Sequence, residues 1–199
     1  MNKSAKWEKE FVERFSKRYD ELKWLYCEVY NNDMKAFSWL CNSLYEYYKS
    51  RKSSLKKLDR EKEKNPDWYK TKNIIGMMLY VDAFADNLEG VREKIDYLKK
   101  CGVNYLHFMP LLKTPKGRSD GGYAVSDFRK VQHELGTMAE LEKLTAECHK
   151  NEIICCLDFV MNHTSEDHEW ARAARNGDTE AQKRYFFFDD WEYPNKFGQ

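Results

Sequence analysis

IICCLDFVMNH, residues 153–163, is the stretch on which the fold turns. It opens with an apolar run that has no polar alternation, the pattern of a strand buried on both faces. A strand is therefore predicted from Ile153 to Val160, with Cys155 and Cys156 facing opposite sides of it. Asp158, Asn162 and His163 then crowd the point where that strand gives out. Just upstream, Thr137 is a good N-cap for a helix with Leu141, Leu144 and Cys148 as its buried stripe. Before it, Val103–Met109 reads as a second apolar strand, closed by Pro110. Leu88–Lys100 is amphipathic, with Val91, Ile95 and Leu98 on one side and Gly102 as a stop signal. Gly76–Val81 is a third run of the same apolar kind, and the first in chain order.

The order is thus β-α-β-α-β with a long loop after the second strand, which demands a parallel sheet with crossover connections. A doubly wound sheet and a (β/α)₈ barrel both begin this way. No glycine-rich phosphate fingerprint follows the first strand, which disfavours dinucleotide binding. Polar residues instead gather just past the second and third strands, where barrels build their active sites. The predicted fold class is α/β: an N-terminal helical region followed by the first three βα units of a (β/α)₈ barrel, truncated after the third.

Up to about Asn65 the periodicity is helical. Trp7, Phe11, Phe15, Leu22, Tyr26 and Val29 form one stripe, and Met34, Phe37, Cys41, Leu44 and Tyr48 a second, with Asp33 as N-cap. Such stripes serve either as a partner surface or as the packing of a helix bundle, and packing is expected. The charged run Lys49–Lys64 reads as a solvated continuation of the second helix, ended by Asn65-Pro66. The expected domains are 1–70, helical, and 71–199, a partial barrel ending in the loop after strand three.

Composition excludes several classes. The 199 residues are 42% hydrophobic and 34% charged with a net charge of +1, so neither nucleic acid nor an anionic membrane is an expected partner. No apolar run approaches a membrane span, and MNKSAKWEKEFVERF lacks the apolar core of a signal peptide. The six cysteines form no CxxC pair and no zinc spacing. A reduced, cytoplasmic setting is expected.

Two polar clusters carry the function. Ser119-Asp120-Gly121-Gly122-Tyr123 lets the backbone bend closely round a ligand, with a ring to stack on a sugar face and a carboxylate for its hydroxyls. The same run also makes a good surface turn, and both readings stand. At the third strand end, one histidine and an amide are too few ligands to specify a metal. An acid–nucleophile pair of Asp120 with Asp158 would need a separation that nothing in the sequence fixes. His107, midway along the second strand, is expected to be a core histidine with a satisfied hydrogen bond.

LDFVMNHTSEDHEW, residues 157–170, resembles the first signature segment of the α-amylase superfamily (glycoside hydrolase family 13), D-x-x-x-N-H on the third barrel strand. MLYVDAF through HELGT, residues 78–137, resembles the opening two βα units of amylosucrases. The likeness runs from about Gly76 to Phe188 and includes the G-G-Y-A-V run, and a helical domain ahead of the barrel also matches amylosucrases. The resemblance implies substrate-binding roles for three residues. Tyr123 would stack on the innermost glucosyl ring, and His163 would hydrogen-bond it. Asp120 would pair with an arginine lying outside this chain and close the pocket floor. It gives Asp158 and Asn162 the structural task of holding the strand end and its loop.

The family's double displacement requires an aspartate nucleophile, a glutamate acid/base and a further aspartate from later strands. No catalytic residue is therefore expected in this chain, and no cofactor or metal. The implied parent is an amylosucrase-like α-glucosyl transferase or hydrolase acting on sucrose, a maltooligosaccharide or a related α-glucoside. The alternatives are a non-catalytic sugar-binding remnant, or one half of a split enzyme that pairs with a separate C-terminal barrel half.

Overall fold

The computed structural model describes residues 7–188 and 190–196. The chain divides into two compact units between Tyr69 and Lys70. The opening residues 1–6 and the end of the predicted post-strand excursion, residues 197–199, lie outside the described residues.

The first unit contains helices α1 (Lys9–Val29), α2 (Met34–Ser50) and α3 (Ser53–Lys64). Asp33 caps α2, its Oδ1 accepting from the backbone N–H of Lys35 and Ala36 at 3.1 and 3.0 Å. Its core is aromatic: Phe11, Tyr45 and Tyr48 are buried, with Trp7 and Phe15 packed against them. This shifts the expected stripe on α2. Tyr45 points inward where Leu44 was expected, and Leu44 and Val29 are exposed. The ring of Tyr45 meets both Trp7 and Phe11, at 5.8 and 5.2 Å, a larger buried contact than a leucine could make there.

The charged run is not a continuation of α2. The chain turns extended at Arg51 (φ −65°, ψ 129°) and restarts as α3. Its charges are partly spent on holding that helix: Arg51 grips Asp59 at 2.6 and 2.8 Å, and α3 ties to α1 through Arg14–Glu63 and Arg60–Glu10.

In the second unit the order is β1 (Gly76–Leu79), α4 (Val81–Ala85), α5 (Leu88–Glu93), α6 (Ile95–Lys100), β2 (Tyr105–Phe108), β3 (Leu112–Lys113), β4 (Asp127–Val131), α7 (Met138–Lys150), β5 (Ile154–Leu157), α8 (Glu169–Arg175), α9 (Thr179–Gln182) and α10 (Glu192–Asn195). The sheet is parallel in the order β1-β2-β5, with Gly76 opposite Tyr105 and Tyr105 opposite Ile154. The predicted amphipathic helix is interrupted at Lys94, yet Val91, Ile95 and Leu98 all stay buried. α7 begins in a full capping box, Thr137 with Glu140, and buries Leu141, Leu144 and Cys148 against the sheet.

Three expectations need correction. Val81 starts a helix rather than ending β1, and β2 and β5 are shorter than predicted at both ends. The strands are also not buried on both faces: Met78 is 64% and Leu157 39% exposed. The buried core gathers the helices α4–α7 with alternate strand residues such as Leu79, Leu106 and Phe108, so one side chain in two is left uncovered. Finally, the long loop after β2 contains an antiparallel hairpin of β3 with β4. A two-residue strand is too short to show any periodicity, so the hairpin is invisible to a pattern reading.

Candidate functional site

The site forms at the carboxyl ends of β2 and β5. Parallel pairing puts His107 opposite Cys156, so Asp158 emerges one residue past the end of β5, beside the imidazole. Asp158 Oδ1 lies 2.7 Å from His107 Nε2, and Asp158 Oδ2 accepts the Tyr123 hydroxyl at 2.9 Å. Both oxygens of this carboxylate are thus engaged, one with each neighbouring segment.

The electrostatics follow. The His107 hydrogen bond, helped by that from Tyr123, holds the Asp158 carboxyl below its ordinary value against some desolvation. Its own hydrogen bond to Asp158 raises the Tyr123 phenol, because losing the proton would set two negative charges side by side. A lowered carboxylate stabilises the fold at pH values above its unfolded pKa of about 3.9, and that contribution disappears as pH falls through the lower folded value. Asp158→Asn should therefore remove part of the acid-side loss of stability. Urea unfolding between pH 2 and 6 is the check: parallel stability curves for both proteins over that range would mean the carboxylate bonds contribute nothing.

Tyr123 is delivered by a tight turn. Asp120, Gly121 and Gly122 follow one another at φ 49°, 63° and 95°, all left-handed. Gly122 packs against the proline that closes β2, where a Cβ would meet Pro110 Cβ at 2.8 Å. That turn leaves the Asp120 side chain exposed, without a hydrogen bond or ion pair among the described residues. Asn162 and His163 sit on the exposed loop after β5, with Asn162 Nδ2 3.2 Å from His163 Nδ1. The two loops are stitched together: the Ser165 N–H donates to Val125 O at 2.8 Å, and Arg118 bridges to Glu166 and, at 2.8 Å, to Asp167.

Asp158 and Tyr123 are thus brought into direct contact, while Asn162 and His163 form a separate pair and Asp120 stands apart. His107 departs from the expectation of a core residue. Its side chain is 33% exposed and its hydrogen bond goes to Asp158 itself. The signal was present, since a polar residue in an apolar strand needs a partner, but only the strand register names which one. Among the described residues no group of three or more His, Cys, Asp or Glu side chains is placed to hold a metal ion.

Comparisons with known proteins place this parallel sheet in a family. The family profile "Alpha amylase, catalytic domain" matches residues 64–199. The chain belongs to the α-amylase catalytic-domain family, and its second unit is the opening three βα units of that (β/α)₈ barrel. It is 30% identical over 138 residues to an alpha-glucosidase of Schizosaccharomyces pombe, covering 66% of this chain and 23% of that protein. With an oligo-1,6-glucosidase of Parageobacillus thermoglucosidasius the identity is 32% over 128 residues, covering 61% and 22%. A variant of isomaltulose synthase from Erwinia rhapontici NX5, solved with D-glucose, superposes with a TM-score of 0.57 at 30% identity, covering 61% of this chain and 23% of that one. The chain spans less than a quarter of the length of these relatives.

Proposed function

We propose that this chain supplies the donor-sugar wall of a retaining, amylosucrase-like α-glucoside enzyme, transferase or hydrolase, acting on sucrose or a related α-glucoside. The observation that carries this is the carboxylate of Asp158 held between His107 and Tyr123 at the mouth of β2 and β5. It fixes a tyrosine ring beside the strand ends, where a glucosyl ring can stack on it. In this reading Tyr123 and His163 contact the sugar, Asp120 closes the floor, and Asp158 and Asn162 support them. The nucleophile and the acid/base come from strands outside this chain. Sucrose as donor is supported by the resemblance of residues 78–137 to amylosucrases, and by structural neighbours such as isomaltulose synthase solved with sucrose, its natural substrate. The chemistry proposed uses no cofactor, and a reduced cytoplasmic setting suits the six free thiols.

A second reading, one half of a split enzyme, is compatible with the same sheet. Among the described residues β1 and β5 each pair on one side only, and Met78, Phe159 and Met161 lie exposed beside them. A separate C-terminal barrel half would cover those edges.

Both readings expect the purified 199-residue chain to release no fructose from sucrose and no glucose from maltose. They expect release once the remaining strands are supplied, in the same chain or as a second one. Fructose release that scales with the concentration of the purified chain alone would overturn the placement of the catalytic carboxylates.

A further inference from the structure

We propose that a cleft between the β3–β4 hairpin and α8 is a second saccharide site, built to hold a neutral α-glucan segment apart from the strand-mouth site. The cleft has a volume of about 690 Å³, within the range of roughly 300–1,000 Å³ usual for small-molecule sites. Neither Asp158, Tyr123, His107 nor His163 lines it.

Its walls carry aromatic surface. Phe128 and Trp170 both line it, and the buried His168 packs between them with ring centroids 5.7 and 5.0 Å away. Trp170 remains 40% exposed, and the Arg184 guanidinium sits 4.8 Å from its ring centre, which restrains the indole before any ligand arrives.

The electrostatics select the ligand class. Five Lys or Arg side chains and four carboxylates line the cleft, and several neutralise one another. Lys130 pairs with Asp127 at 3.3 Å and Arg129 with Glu169 at 3.5 Å. A polyanion gains little from so balanced a surface. A sugar hydroxyl both donates and accepts, so it matches a wall where donors and acceptors alternate. One arm is ordered in advance: Gln132 Oε1 accepts from the Thr114 N–H at 2.9 Å while its Nε2 donates to Glu134 at 2.7 Å. Aromatic surface beside mixed, pre-set polar groups is saccharide chemistry. The choice of an α-glucan among saccharides rests on the function proposed above.

The test is a titration of the isotope-labelled 199-residue chain with maltohexaose, followed at the backbone amides of Asp127–Lys130, which every variant keeps, and at the Trp170 indole N–H. The expected result is a saturable shift, with affinity at least tenfold weaker in both Trp170→Ala and Arg129→Ala and unchanged in Tyr123→Ala. Arg129 is 77% exposed, so its variant tests the cleft even if Trp170→Ala misfolds. An indole signal that never moves, or binding lost in Tyr123→Ala and kept in Trp170→Ala, overturns the cleft and leaves the proposed function standing. Equal binding of cellohexaose, or tighter binding of inorganic phosphate, overturns the ligand class. Cleft binding in a completed protein that cleaves no α-glucoside overturns the proposed function instead.

Discussion

Gly90→Ala is expected to unfold the second unit or to cost it roughly 4 kcal/mol or more, the range reserved for severe steric or core defects. Gly90 lies in the first turn of α5, where its N–H is accepted by the Asn87 cap at 2.9 Å. A Cβ there would stand 2.1 Å from the Ala85 carbonyl oxygen. The obstacle is backbone, so no side-chain rotation relieves it. Nor can α5 slide away, because Leu88 and Val91 on either side of Gly90 are essentially inaccessible to solvent in the core. Alanine's advantage in helix propensity, about 1 kcal/mol, is far too small to compensate. Gly76→Ala is the matched control, since its Cβ would meet nothing closer than 3.8 Å. Urea unfolding combined with amide exchange in α5 measures both. A Gly90→Ala protein within 1 kcal/mol of the parent would mean that α4 and α5 do not pack as described.

This residue also marks where sequence reasoning reached its limit. The buried positions of the second unit were legible because they are periodic: Val91, Ile95, Leu98, Leu141, Leu144 and Cys148 all lie on the faces predicted, and all are buried. The closeness that demands a glycine at 90 leaves no trace in periodicity, because it arises between α5 and α4, a helix too short to show a period and lying just past the first predicted strand. The site divides in the same way. Asp120, Tyr123, Asp158, Asn162 and His163 stood out as polar residues at strand ends. The link from Asp158 to His107 across 51 positions did not, because it depends on the parallel register that sets Leu157 beside Phe108. The uncovered faces of β1 and β5 escaped for a different reason. An unbroken apolar run reports a strand meant to be covered on both sides, whether or not its cover is present.

In an enzyme that completes the barrel round this chain, His163→Ala is expected to lower turnover about a hundredfold to a thousandfold, the usual cost of removing one donor aimed at developing charge. On the proposed function, its hydrogen bond to the glucosyl ring strengthens as the ring flattens toward an oxocarbenium-like state. The loss therefore falls on kcat more than on KM. The structure gives the ring few other duties: it is exposed, and Asn162 at 3.2 Å is its hydrogen-bond neighbour, so the substitution should leave the melting temperature nearly unchanged. Tyr123→Ala should behave differently and raise KM as well, since stacking serves ground state and transition state alike. Asp158→Asn couples the two effects. The amide puts an NH2 donor where one of the two acceptor oxygens stood, so one of the contacts to the Tyr123 hydroxyl and His107 loses its carboxylate acceptor. It should lower the melting temperature and, by loosening the Tyr123 ring, raise KM with a smaller change in kcat. Steady-state kinetics of the three variants beside their melting curves separate these roles. If His163→Ala keeps full turnover while Asp158→Asn loses it at an unchanged melting temperature, the reacting sugar is read by Asp158, and the two roles are exchanged.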